Sequence, residues 1–184
     1  SAPSVSQFAI AFNCETDGAD TGIAYERFTN EGPLAFLPLP GSGDNKLRYN
    51  VIWCAHQATQ SRLLALDDQD FIDELQAMVG WRAGRVTKIG RRAGWPLSVV
   101  VSRELVRSRC VLLGNSAHTV HPVAGQGFNL SVRDVDRLIT LLGAELQTEC
   151  PFDSVARLSD FERASLSDHE QTIAATTLLS GLFD

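Results

Sequence analysis

The sequence predicts a mixed α+β / α/β chain: an antiparallel-rich sheet with helices, then a strand that feeds a helix, then a helical C-terminal region. Three observations predict it. Segments between Gln7 and Trp53 alternate apolar and polar residues at a period of two, as half-buried strands do. From Cys110 the pattern changes to an apolar run, a glycine-bearing loop and a stretch with apolar residues at helical spacing. Beyond Pro151 only helical spacing recurs.

In order along the chain, Gln7–Asn13 places Phe8, Ile10 and Phe12 on one strand face. Gly22–Thr29 and Leu34–Leu39 read as further strands, joined by the turn Asn30-Glu31-Gly32-Pro33. Gly41-Ser42-Gly43 has hairpin chemistry, and Leu47, Tyr49, Val51 and Trp53 alternate after it. Asp67 or Asp68 is placed to cap a helix through Phe71, Leu75 and Met78, with Gly80 as its stop. Val86–Arg92 and Trp95–Val101 return to strand character, with Gly94 and Pro96 between them. Cys110–Leu113 has the composition of a buried strand of a parallel sheet. Phe128, Val132, Val135, Ile139 and Leu142 form a helical stripe expected to pack on that sheet. Leu158, Phe161, Ile173 and Leu178 mark a last helical region, in two pieces. The expected domains are 1–105, 106–143 and 144–184.

A formal net charge of −6 over 184 residues, with no basic block, argues against a nucleic-acid surface. No apolar run approaches the ~18 residues of a membrane span. Ser1–Ser6 has neither the basic region nor the apolar core of a signal peptide. Cys14, Cys54, Cys110 and Cys150 are widely spread and form no C-x-x-C pair, as expected of mostly buried free thiols in a reducing cytoplasm.

Chemistry concentrates in Val111–Leu130, VLLGNSAHTVHPVAGQGFNL. A strand that ends in a glycine loop and opens a helix offers exposed N–H groups and the positive end of a dipole to an anionic group. His118 and His121 are three residues apart, but neither an H-E-x-x-H pattern nor a cysteine pair accompanies them, so no metal is expected. Ser116 lacks a nucleophile elbow. His56 and His169 read as surface or packing residues, and Trp53 and Trp81 as core.

The full wording of that stretch, with Arg133-Asp134 after it, resembles the second flavin-contacting motif of aromatic-ring hydroxylases among the FAD monooxygenases. Tyr25–Thr29, Gly32-Pro33-Leu34, Glu74-Leu75-Gln76, Gly80-Trp81-Arg82 and Asp168-His169-Glu170 resemble the ubiquinone-biosynthesis branch. The resemblance implies that residues 1–105 are a substrate-binding sheet domain and 106–143 the last strand and helix of an FAD-binding domain. It implies FAD as cofactor and NAD(P)H as reductant, with a prenylated phenol hydroxylated through a flavin C4a-hydroperoxide. The implied cofactor-binding residues are Gly114, Asn115, His121, Pro122, Gly125, Gln126, Gly127, Phe128 and Asn129. In that family the amides of Gly125–Phe128 lie near the pyrimidine edge of the flavin, and Pro122 lies against the ring. Asn115 stands where the family commonly has Asp; its amide oxygen still accepts a hydrogen bond from a ribityl hydroxyl, without the charge. Arg27 is implied as a substrate contact. No catalytic acid or base is assigned.

The family's N-terminal G-x-G-x-x-G unit has no counterpart here, and Asp17-Gly18 lies in a polar loop rather than in the family's Asp-Gly motif. The chain therefore reads as the C-terminal portion of a longer enzyme, inactive alone, holding FAD weakly and self-associating through uncovered apolar surface. Its expected setting is the cytoplasm, peripheral to the inner membrane, in an assembly of ubiquinone-pathway proteins. Two rivals stand beside this reading. A reductase or halogenase of the same superfamily would share the G-Q-G corner but not the Tyr25–Thr29 and Gly80–Arg82 words. A non-enzymatic lipid- or partner-binding module derived from the hydroxylase would share the sheet.

Overall fold

The computed structural model describes residues 7–18, 22–40, 47–122, 125–145 and 155–181. The chain divides into two compact units, Ser1–Leu97 and Ser98–Leu182. The first boundary thus falls before residue 105, and the C-terminal helix belongs with the second unit rather than forming a third.

The first unit is an antiparallel sheet with two helices. Its strands are β1 (Gln7–Thr16), β2 (Tyr25–Thr29), β3 (Gly32–Leu39), β4 (Leu47–His56), β5 (Val86–Ile89) and β6 (Ala93–Pro96), in the order β2-β3-β4-β1-β5. β6 also pairs with β1: β5 lies along Cys14–Thr16 and β6 along Phe8–Ala11. Pleating sends Ile10, Phe12, Cys14, Leu34, Phe36, Tyr49, Val51 and Trp53 to one face, where they are buried with Leu63, Phe71 and Leu75 of the helices. The alternation predicted this face. The structure trims the strand beginning at Gly22 to Tyr25, places Gly94 inside β6, and leaves Gly41-Ser42-Gly43 outside the described residues.

Helix α1 (Gln57–Ala65) follows β4 directly and was not expected, because only Gln60 and Leu63 of it are buried and its apolar signal is faint. Helix α2 (Asp68–Val79) is as predicted: the Asp67 side chain accepts from the Asp70 N–H, and Gly80 ends the helix at φ 75°. Arg92 secures the junction of α1 and α2. Its guanidinium donates to the Leu66 carbonyl and the Asp68 carboxylate and lies 4.7 Å from the centre of the Phe71 ring. The Asp17-Gly18 loop is structural. Asp17 Oδ1 accepts from the Arg85 N–H, and a Cβ on Gly84 would stand 2.4 Å from the Gly18 nitrogen. Burial pushes the Cys14 and Cys54 thiols up to about 12. Trp53 is core, but Trp81 is 71% exposed, a correction to its sequence reading; Cys110 is also exposed.

The second unit carries short strands β7 (Val100–Val101), β8 (Val106–Arg107), β9 (Cys110–Val111) and β10 (His118–Thr119), and long helices α3 (Gln126–Glu145) and α4 (Val155–Gly181). β8 pairs with β9 and β7 with β10, both antiparallel. The expected parallel strand at Cys110–Leu113 is thus a two-residue arm of a hairpin with an exposed Cys110, since the described chain offers it no parallel neighbour. Helix α4 is continuous rather than in two pieces. Near its start Leu158 and Phe161 share a core with Leu105, Val106 and Ala117, and Glu162 Oε1 accepts from the Leu105 and Val106 N–H groups.

The stripe on α3 differs most from expectation. Phe128, Val132, Val135 and Ile139 are exposed, Phe128 at 77%, while the opposite face buries Leu130 and Asp134 and packs Leu138 and Leu141. The helix has two apolar faces, and the unit covers one. An exposed apolar stripe of this size marks a surface suited to contact with another body.

Candidate functional site

The loop from Leu113 to Gln126 brings most of the predicted cofactor residues to one corner. Gly114–Ser116 is a single 3-10 turn, closed by the Ser116 hydroxyl donating to the Leu113 carbonyl. Gly114 has φ 58°, and a Cβ there would stand 3.4 Å from Ser131 Oγ on α3. The turn therefore lies beside the first turns of α3. Gly125, at φ 60°, donates its N–H to the Pro122 carbonyl and starts the helix. Nothing stands within 4 Å of where its Cβ would be.

Asn115, Pro122, Gly125, Phe128 and Asn129 are exposed, and Gly114, His121, Gln126 and Gly127 half-buried. The first turn of α3 carries no acidic residue to neutralise its positive end. The corner fits an electron-rich group on two counts: a helix start with no acidic residue in its first turn, and a glycine flank with open space over it. Those are the demands of a flavin ring whose reduced form gathers negative charge. FAD supplies the redox and oxygen chemistry in such sites, and the protein supplies position and electrostatics.

Arg27, in the first unit, shares a strand face with Tyr25, which packs toward the core, and its guanidinium reaches toward Gly80 at the end of α2.

Behind the corner lies a polar cluster that the sequence did not announce. His169 Nε2 is 2.8 Å from Asp134 Oδ2, and His118 Nε2 is 3.4 Å from the same oxygen, too poorly aligned for a hydrogen bond. All three side chains are buried, and the two imidazoles meet edge to face at 4.5 Å. Burial and the neighbouring His169 hold the His118 imidazole below its ordinary value. Around them Arg133 donates to Asp168 at 2.8 and 3.0 Å, and Arg137 joins Asp168 to Asp134 Oδ1. Hydrogen bonds from Arg133 and Arg137 hold the Asp168 carboxyl down to about 2. His169 is a buried hydrogen-bonding group, which corrects its reading as an ordinary packing residue. Its partners lie 35 and 51 positions away, so no local spacing could reveal them. Among the described residues these three are also the group whose ligand atoms lie close enough for a metal, all within 4.8 Å.

Residues 7–158 match the family model of the FAD binding domain. The chain belongs to this family. Several similar proteins carry ubiquinone-biosynthesis names. The chain is 33% identical to ubiquinone hydroxylase UbiL of Rhodospirillum rubrum over 96% of this chain and 40% of that protein. It is 36% identical to 3-demethoxyubiquinol 3-hydroxylase of Escherichia coli over 72% of this chain and 32% of that one. Among solved structures, PqsL of Pseudomonas aeruginosa, described as "a probable FAD-dependent monooxygenase", superposes with a TM-score of 0.73 at 18% identity, over 96% of this chain and 48% of PqsL. That likeness speaks to the fold. The chain thus spans less than half the length of these relatives. No described helix is long and apolar enough to cross a membrane.

Proposed function

We propose that this chain is the substrate-sheet and C-terminal flavin-facing portion of an FAD-dependent aromatic-ring hydroxylase acting on a prenylated phenol in ubiquinone biosynthesis. The observation that carries the reading is the α3 corner: a helix whose first turn has no acidic residue, behind a left-handed glycine, worded Gly125-Gln126-Gly127, in a chain of the FAD-binding family.

In this proposal the N–H groups of Gln126, Gly127 and Phe128 face the flavin edge that becomes electron-rich on reduction, and stabilise it without a titrating side chain. Asn115, beside Gly114, accepts from a ribityl hydroxyl. His121 and Pro122 border the ring and limit water, and Asn129 continues the same rim. Arg27, whose guanidinium lies near Gly80, is the substrate contact offered by the first unit. When bound, FAD supplies oxygen activation by the route the family resemblance implies, with NAD(P)H as the electron source. The first unit supplies the sheet against which the phenol is held.

The same reading explains the exposed stripe on α3. In the complete enzyme it is covered; in the isolated chain Phe128, Val132, Val135 and Ile139 drive self-association. The chain alone is accordingly inactive and a weak FAD binder, and the complete enzyme is a cytoplasmic protein working near the inner membrane with other ubiquinone-pathway proteins. The test is reconstitution of a full-length version with FAD. Uptake of oxygen from labelled O2 into a prenylated phenol is expected, together with substoichiometric flavin on the 184-residue chain. Equimolar flavin retained by the chain alone would refute the division of the site.

A further inference from the structure

We propose that Asp134 and His169 are positioning residues: acting through His118, they hold the 114–122 loop against α3 and α4 and so fix the corner where Gly125–Phe128 begin. Among the described contacts of the loop are one 3-10 turn, a two-residue pairing with β7, the Ser102 N–H to Ala117 carbonyl bond, the Gly125 to Pro122 bond and the burial of Ala117 in the apolar core. At the loop's centre His118 is 2% exposed, its ring wedged between Asp134 of α3 and His169 of α4.

Charge decides how the cluster works. The charged groups facing it are Asp134, Arg133 and Arg137 from α3 and Asp168 from α4; His118 of β10 and His169 of α4 are its other titratable groups. Two carboxylates balance two guanidiniums, so the cluster is neutral when both imidazoles are neutral. A divalent cation among the three ligands would leave two uncompensated charges in a buried site, which is costly. A hydrogen bond needs no such compensation. Ionised Asp134 only accepts, so His169 donates from Nε2, and its Nδ1, which has no partner among the described residues, is a bare acceptor rather than a buried N–H. That bond satisfies the buried carboxylate and fixes the His169 ring, which meets the His118 ring edge to face at 4.5 Å.

The consequence for the flavin rests on the function proposed above; the tether itself does not. Backbone amide exchange across the intact chain separates the two. His169→Phe keeps a ring without the donor, and His169→Gln keeps a donor without the ring. The expected result is at least tenfold faster exchange at 114–122 in the first, largely restored in the second, with the β1 and β4 amides unchanged in both. Protection in His169→Phe equal to the native chain, or no restoration in His169→Gln, would overturn the proposal. Should His169→Phe not fold, nitrogen-detected spectra of the native imidazoles still decide it: a slowly exchanging Nε2–H on His169 supports the tether, and an Nδ1–H form sinks it. Equimolar zinc chloride is expected to change neither spectrum nor exchange. Zinc-dependent protection that His169→Phe abolishes would replace the tether with a metal site. Shifts of the 125–128 amides on adding excess FAD are expected to shrink in His169→Phe. If the loop loosens while those shifts persist, the tether stands and the loop's role at the flavin falls.

Discussion

The two units of this chain solve burial in opposite ways. The first hides apolar side chains and exposes polar ones: one sheet face and two helices enclose an aromatic centre in which Phe71 meets Phe12 at 5.1 Å and Trp53 at 5.8 Å. The second hides His118, Asp134, His169, Ser165 and Thr176 while exposing Phe128, Val132, Val135 and Ile139. A unit with a closed apolar centre is held mainly by packing. The second joins a small apolar core around Leu105, Leu158 and Phe161 to a charged network beside it, and leaves an apolar stripe of α3 exposed. The lesson is that the same chain length can carry a finished core and half of another.

The largest effect that sharpens this contrast is expected at Phe71. Truncation to Ala removes a fully buried ring and its edge-to-face contacts, costing about 3–5 kcal/mol. All three tryptophans (Trp53, Trp81 and Trp95) lie in the first unit, so fluorescence reports its unfolding there. The amides of α3 and α4 should keep their protection. Equal loss in both units would show that Phe71 does not stabilise the first unit alone.

The next effect belongs to the second unit. Asp168 is held down to about 2 by Arg133 and Arg137, so the folded state favours the carboxylate more than the unfolded chain does. That stabilisation, about 2 kcal/mol, is complete above the ordinary value of 3.8 and drains away as pH falls toward 2. Asp168→Asn should remove it and flatten that acid limb, read as the melting of α3 and α4 by circular dichroism. An acid limb that survives the substitution would assign the loss elsewhere.

His118 adds a smaller effect at milder pH. Its imidazole is held below 6.5 in the fold, so the unfolded chain takes up the proton first. Stability is therefore full above that value and declines as pH drops beneath it, and the decline should disappear in His118→Phe. Amide exchange at 114–122 measured between pH 7.5 and 5.5 follows it. Exchange corrected for its intrinsic rate that stays flat across that range would contradict the inverted interior.

Legibility in the sequence follows the same divide. Period-two alternation found the inner face of β1, β3 and β4, because a strand with one buried face writes its burial into every second residue. Capping chemistry found α2 through Asp67 and Gly80. Helix α1 escaped, since two buried residues in nine make no stripe. In the second unit periodicity located the exposed stripe of α3 at Phe128, Val132 and Ile139 but not its inner face, where the described contacts run through Leu130, Leu138 and Leu141. The corner at Gly125 was readable only from its wording. The Asp134–His169 pair was not readable at all, because a hydrogen bond between residues 35 apart leaves no spacing behind.

The smallest effect on folding, and the one that bears most directly on the uncovered face, is expected from Phe128→Ser with Ile139→Ser. Both side chains are more than 60% exposed, so their loss should change the stability of the second unit by no more than about 0.5 kcal/mol each. Association should respond far more. Removing two large side chains from an apolar stripe takes away the area that pairs one copy with another, and the hydrophobic effect scales with that area. Sedimentation at micromolar concentration should move from a self-associated species toward monomer, with the melting of both units unchanged. A native chain already monomeric there would show that the stripe tolerates water, and α3 would then be a finished surface rather than half of a missing core.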